Sequence, residues 1–479
     1  MICFFGLNYV GKDRDSMKSK ALARYIKFIC FIMISTVLFM GSGCGEVRDD
    51  DISVEAEEEA MTSPQTDDNG EASAKALAEP TVEVYDDISN KNDEQSGDRD
   101  RVTSGAGSYT EESIEIDTQK ISYEDMQLIK RVKDKMEQMT LEEKVAQMFI
   151  VFPESLVKGV NHVTMATETT QKSIDAVPVG GVVYMTENLV NPDQTKEMLS
   201  NIQRYSMERI ELPLFLCVDE EGGRIARIAN NKMYGVDNVG SMTEYGIKND
   251  PNQAYIAGVT MGSYLSELGF NLDFAPDVDV QGIKVDSVFY RRTFSDDPVI
   301  VASMADAVAK GLKSKGIVTV YKHFPGHGST TGDPHKGYAI SDKTIDDLKK
   351  DDLIPFEKGI DENVPCIMIG HISLPKVTGD DTPASLSKEI VTGLLRKNLG
   401  YNGIVVTDAM NMGAIKDNYD SDEAALLAVE AGVDVVLMPK DFDKAYNGIL
   451  TAVKNGNVSV ERIDESVERI LKVKMGFIN

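Results

Sequence analysis

Tryptophan is absent from the 479 residues, and histidine and cysteine occur five times each. Without an indole there is no tryptophan platform for stacking an extended ligand, and that work falls to phenylalanine and tyrosine. The cysteines are Cys3, Cys30, Cys44, Cys217 and Cys366. None forms a close pair or a CxxC, which speaks against a disulfide framework and a structural zinc. Cys217 and Cys366 sit inside apolar runs and are expected to be buried thiols. Positive charge is also scarce: 50 lysines and arginines stand against 78 aspartates and glutamates, a formal net charge of -28. A chain of that sign is a poor ligand for nucleic acid, and no such partner is expected.

The acid is concentrated. Residues 45–120 hold 23 acidic and 6 basic residues, with no phenylalanine. Such a segment buries too little apolar surface to offset its chain entropy, so it reads as a disordered acidic linker, a self-repelling tether. Ahead of it, Lys18, Lys20, Arg24 and Lys27 precede an uncharged run of 13 residues, Phe28 to Met40. That run is short for a spanning helix and suits the core of a signal peptide. It leads into Gly41-Ser42-Gly43-Cys44, which resembles a bacterial lipobox with Gly41 where leucine is usual. Residues 1–44 are therefore expected to be a signal peptide, with Cys44 lipidated and the mature protein anchored through lipid on the outer face of the cytoplasmic membrane. A retained anchor, or ordinary cleavage nearby, would export the protein as well.

From residue 121 to 479 the texture is that of a folded body. Met126, Ile129, Val132, Met136, Leu141 and Val145 recur at helical spacing, and Thr140-Leu-Glu-Glu143 resembles a capping box. Eight apolar runs then predict strands: Met148–Phe152, Gly181–Met185, Leu214–Val218, Leu272–Ala275, Ile317–Tyr321, Cys366–Ile369, Ile404–Thr407 and Val433–Leu437. Helical patterns such as Ala254–Leu268, Ile300–Lys315 and Ser421–Ala431 lie between them, and a helix over Val460–Met475 closes the series. Continuous apolar strands alternating with helices imply a parallel sheet covered on both faces. Eight units in this length fit an α/β fold of the (β/α)8 TIM-barrel type better than an open sheet.

In such a barrel the residues just past the strand ends share one face. Asp219, Glu220, Asp277, Lys322, His323, His371 and Asp408 stand at these places. Three of the five histidines fall in Tyr321–Gly337, YKHFPGHGSTTGDPHKG. Pro325, Gly326 and Gly328 break the chain there, and a polar loop carries Asp333 and His335, two residues apart. Three readings apply: a turn of solvated histidines, a metal site of His323, His327, Asp333 and His335, or a general acid/base on a loop. The metal reading has no compact ligand spacing behind it. The acid/base reading is preferred, with Asp333 orienting the ring and stabilising its charged form.

Five segments together resemble the β-N-acetylglucosaminidases of glycoside hydrolase family 3. They are Val218-Asp-Glu-Glu-Gly-Gly-Arg-Ile-Ala-Arg227, Phe274-Ala-Pro276, Arg292-Thr-Phe294, the histidine-rich stretch, and Val406-Thr-Asp-Ala-Met-Asn-Met-Gly413. The resemblance covers Met139 to the C-terminus. It implies a catalytic nucleophile at Asp408, an acid/base at His335 supported by Asp333, and sugar-binding positions at Asp219, Arg227, Arg292, Lys322, His323 and His371. Pro334 stands where the family usually has serine, and proline fixes φ and removes a donor.

The resemblance implies an exo-acting retaining enzyme that releases terminal β-linked N-acetylglucosamine from peptidoglycan fragments or chitooligosaccharides. Asp408 would form a covalent glycosyl-enzyme, and His335, with an ordinary pKa of about 6.5, would serve as acid and then base. The lack of tryptophan favours a site for one terminal sugar over a long cleft. No cofactor and no metal are expected, and the enzyme is expected to be a monomer. The alternatives are a β-glucosidase or other β-glycosidase of the family, a phosphorylase, and a catalytically inactive surface glycan-binding lipoprotein.

Overall fold

Ser122 opens the first helix, α1 (Tyr123–Gln138), by accepting from the Asp125 N–H. At α2 (Leu141–Gln147) the expected capping box is present: Glu143 N–H donates to Thr140 Oγ1 at 3.2 Å, and Thr140 N–H donates to Glu143 Oε2 at 3.0 Å. Two orphan donors are thereby satisfied just where the chain enters the first strand. The computed structural model of the protein describes residues 122–282, 289–328, 330 and 339–478. The expected signal peptide with Cys44 and the linker lie outside the described residues, as do Asp333, Pro334 and His335.

Eight strands follow: β1 (Phe149–Val151), β2 (Gly181–Val183), β3 (Phe215–Val218), β4 (Leu272–Asp273), β5 (Val318–Phe324), β6 (Cys366–Ile369), β7 (Ile404–Thr407) and β8 (Val436–Leu437). Each pairs in parallel with its neighbour from β1 to β7, and β1 pairs in parallel with β8. The ring closes between β7 and β8, where Thr407 N–H donates to Val435 O at 3.0 Å and Leu437 N–H to Thr407 Oγ1 at 3.0 Å. Every strand residue is buried, which is why the sequence shows continuous apolar runs and no alternation. The architecture is the (β/α)8 barrel expected from the sequence.

Six of the eight strand ranges differ from the expectation: β1 to β4 are only trimmed by one or two residues at an end, and β5 and β8 differ more. β5 runs on past Tyr321 to Phe324, so Lys322 and His323 are strand residues with a fixed direction. β8 is shorter than Val433–Leu437, because Asp434 at its entry is spent on other contacts. Its Oδ2 accepts from Val405 N–H at 2.9 Å and pairs with Arg396, and its Oδ1 accepts from Ser466 Oγ at 2.7 Å and Arg469 Nη1 at 3.1 Å. That carboxylate ties the C-terminal helix to the strand entries. Behind β5, α3 (Pro251–Leu268) and α4 (Pro298–Lys313) approach closely at glycines. A Cβ on Gly258 would stand 2.2 Å from Val308 O, and one on Gly311 2.4 Å from Tyr255 O.

The last helix, α5 (Val460–Phe477), carries Lys474 into the interior on the strand-entry side. Its Nζ donates to Gln147 Oε1 at 2.7 Å and lies 5.0 Å from the Phe215 ring centroid. Among the described residues no carboxylate pairs with it, and burial pushes its ammonium down to about 7.

Candidate active site

The exits of the strands gather charge at the opposite end of the barrel. Asp219 follows β3 directly. Next comes a small antiparallel hairpin, Glu220–Gly222 against Ile225–Ala226, with a bulge in its register. Successive residues of an extended chain point to opposite sides, so the two adjacent glutamates part company. Glu220 turns away from the mouth and accepts from Ile228 N–H, Ala229 N–H and Tyr264 Oη at 2.8–2.9 Å, a structural role in contrast to its expected place on the rim. Glu221 turns into the mouth and becomes the hub of an ion cluster. Arg292 grips it with both arms of the guanidinium, Nε to Oε2 and Nη2 to Oε1, each at 2.8 Å. Lys322 Nζ lies 2.6 Å from Glu221 Oε1 and 3.1 Å from Asp219 Oδ1. Arg292 also stands 3.3 Å from Asp277 Oδ2, and Arg227 3.8 Å from Asp219 Oδ2.

Burial alone would raise the Glu221 carboxyl; Arg292 and Lys322 reverse this and hold it well below the usual carboxylate range. The same contacts keep Lys322 charged: burial opposes its ammonium, and Glu221 and Asp219 raise it above the ordinary lysine value. Such charge-assisted pairs are strong only while complete.

His323 is held differently. Its Nδ1 lies 2.7 Å from Asp279 Oδ2, and the other oxygen of Asp279 accepts the His327 N–H at 2.6 Å. Burial pushes Asp279 up to about 7 and pushes His323 below its usual value. His327 is turned inward. Its Nδ1 donates to Thr330 Oγ1 at 2.7 Å, and that hydroxyl donates back to His327 O at 2.9 Å. Burial, with His323 beside it, lowers His327 to about 3, and its Nε2 is buried without a hydrogen-bond partner among the described residues.

Asp277, Asp279 and His323 offer ligand atoms within 4.8 Å of one another, the one described group with the composition to hold a metal ion. The Arg292 guanidinium already occupies the position of a counter-cation there.

Asp408 follows β7 on the far side of the mouth. It is half-buried. Its Oδ1 accepts from Ala409 N–H at 2.7 Å, and among the described residues no cationic nitrogen lies within ion-pair distance of it. Burial would raise its carboxyl, but the fields of His323 and His371, the Ala409 amide and Lys322 outweigh this and hold it below the usual value. It is thus an ionised carboxylate without a salt-bridge partner among the described residues, across from a cluster of donors. His371 is fully buried just past β6. Its two ring nitrogens lie 2.8 Å from Ser385 Oγ and 3.0 Å from Ala409 O, both protein groups.

The strand ends thus bring together Asp219, Arg227, Arg292, Lys322, His323 and Asp408. The sequence reading missed Glu221, Asp279 and Ser385. Glu221 was legible in principle, since it stands two residues from Asp219 in an extended segment and so shares its side. Nothing local marks Asp279 or Ser385.

A family model described as the glycosyl hydrolase family 3 N-terminal domain matches residues 140–473. The chain belongs to glycoside hydrolase family 3. It is 33% identical over 325 residues to β-hexosaminidase A of Pseudoalteromonas piscicida, covering 63% of this chain and 54% of that protein. To β-hexosaminidase LpqI of Mycobacterium tuberculosis it is 36% identical over 272 residues, 55% of this chain and 68% of the relative. Among solved structures, a family 3 β-N-acetylglucosaminidase from Paenibacillus sp. str. FPU-7 superposes with a TM-score of 0.66 at 33% identity, over 70% of this chain and 62% of the other. M. tuberculosis LpqI superposes with a TM-score of 0.63 at 30% identity, over 72% of this chain and 96% of the other. The chain therefore spans about half the length of the Pseudoalteromonas relative.

Proposed function

We propose that this protein is an exo-acting retaining β-N-acetylglucosaminidase that removes a terminal β-linked N-acetylglucosamine from peptidoglycan fragments or chitooligosaccharides. The observation that carries the reading is the state of Asp408: ionised, half-buried, without a salt bridge among the described residues, and opposite Lys322, Arg292 and Asp219. The relatives named as β-hexosaminidases support the sugar and the linkage. Lys322, Arg227 and Arg292 donate to sugar hydroxyls, Asp219 accepts from them, and the His323 ring contacts the sugar beside them. This orients the anomeric carbon towards Asp408. The carboxylate attacks that carbon as the glycosidic bond breaks, and His335, steadied by Asp333, gives its proton to the departing oxygen. A water then gives a proton to His335 and attacks the same carbon, which returns Asp408 as a carboxylate and releases the sugar. Export through residues 1–44 and a lipid anchor at Cys44 would place this reaction outside the cytoplasmic membrane.

The test is covalent trapping. Carbon 2 carries the acetamido group, so the slowing fluorine belongs on carbon 5 of an activated N-acetylglucosaminide. Mass spectrometry of the digested protein is expected to find one sugar on the peptide containing Asp408. An adduct on another carboxylate, or steady turnover in Asp408→Asn, would refute the assignment.

A further inference from the structure

His371 lies in the loop after β6, beside the strand that delivers Asp408, and no part of it is exposed. Its Nε2 is 3.0 Å from the Ala409 carbonyl oxygen. A carbonyl can only accept, so Nε2 carries the hydrogen. Nδ1 is then a lone pair, and the Ser385 hydroxyl 2.8 Å away must donate to it. Ser385 is itself fully buried, in the turn Ala384–Leu386. The tautomer is therefore dictated from both sides.

Ala409 is the residue whose N–H donates to Asp408 Oδ1. The turn around it is fastened by Asp408 N–H to Ile369 O at 2.8 Å, Met410 N–H to Leu437 O at 2.9 Å and Met412 N–H to Ala409 O at 3.0 Å. Those three are backbone bonds. The imidazole supplies the fourth, and with Met412 it fills both lone pairs of the Ala409 carbonyl. One peptide plane at Ala409 thus holds the carboxylate and the next is held by His371.

Resting on the reading that Asp408 attacks the sugar, we infer that His371 and Ser385 are positioning residues that aim the Asp408 carboxylate, in place of the sugar-contacting role expected for His371. Removing the imidazole leaves the Ala409 carbonyl one donor short and lets the turn rock. A misplacement of about 1 Å at a reacting atom is enough to lose on the order of 100-fold in rate.

The experiment compares His371→Ala, His371→Gln and Ser385→Ala with wild type on a chromogenic β-N-acetylglucosaminide. It measures kcat, KM, inhibition by free N-acetylglucosamine and the melting temperature. His371→Ala is expected to lose about 100-fold in kcat with inhibition by the free sugar changed less than about twofold, because Asp219, Lys322 and Arg292 are untouched. His371→Gln, whose amide nitrogen reaches the place of Nε2, should recover most of that loss. Ser385→Ala should fall between them, and it keeps the test available if His371→Ala does not fold. Weakening of sugar inhibition in step with kcat/KM would overturn the inference in favour of a sugar contact. A lower melting temperature with kcat unmoved would overturn it in favour of a purely structural role. Wild-type protein inactive on every β-N-acetylglucosaminide would instead refute the proposed function, and this inference with it.

Discussion

Replacing Glu221 by glutamine keeps the shape of the hub and removes its charge. The side chain is 2% exposed and takes both arms of Arg292 and the ammonium of Lys322. Glutamine offers one accepting oxygen and points an NH2 group at a cation, so two buried positive charges are left short of a counter-ion. Breaking a buried pair by removing one partner costs about 3–5 kcal/mol. A loss of about 4 kcal/mol at pH 7 is expected. The pH dependence follows from the depressed folded-state pKa. The stability due to Glu221 is fully present above the unfolded carboxyl value of about 4.3 and is lost as pH falls towards the folded value. By pH 3 the wild type has given up about 2 kcal/mol of it, so the gap between the two proteins narrows by that amount. Urea unfolding followed by circular dichroism at pH 7 and pH 3 measures this, since urea leaves the ion pairs unscreened and the chain has no tryptophan to report by fluorescence. A gap under about 1 kcal/mol at pH 7, or one that stays constant down to pH 3, would show that Glu221 is not the electrostatic hub of the mouth.

Asp408→Asn should lower kcat/KM by on the order of 1,000-fold or more, as losses of catalytic nucleophiles do, with the melting temperature within a few degrees of wild type; circular dichroism and initial rates on one protein sample check both. Lys474→Met should raise the urea midpoint. The folded lysine titrates at about 7, below its unfolded value of about 10.4, so the penalty is complete below pH 7 and fades as pH rises towards 10.4. Midpoints at pH 7 and pH 10.5 should therefore differ between the two proteins at the first and converge at the second, and a constant difference would contradict an unpaired buried ammonium.

The barrel was legible because its signals are local. Runs such as Ile404–Thr407 and Cys366–Ile369 are apolar throughout since the strands are buried on both faces, and the structure returns those two ranges unchanged. A parallel barrel sends every strand exit to one mouth, so polar residues at the exits could be grouped before any distance was known. The boundaries of β5 and β8 were less legible. Lys322 and His323 read as the end of a strand by polarity, although the backbone of β5 runs on to Phe324.

By itself, the sequence determined the alternating α/β order, the burial of the strands, and which polar residues leave the strand ends on a common face. Those properties depend on neighbours within a few residues, where composition and period are sufficient. Only the tertiary structure decided the partners. Glu221 meets Arg292 across 71 residues, His323 meets Asp279 across 44, and His371 meets Ala409 across 38. Side-chain direction decided the rest: Glu220 faces the hairpin and Glu221 the mouth, and His371 turns both nitrogens into the protein. A hydrogen bond needs its atoms placed to a fraction of an ångström, and the packing of the whole barrel sets that placement.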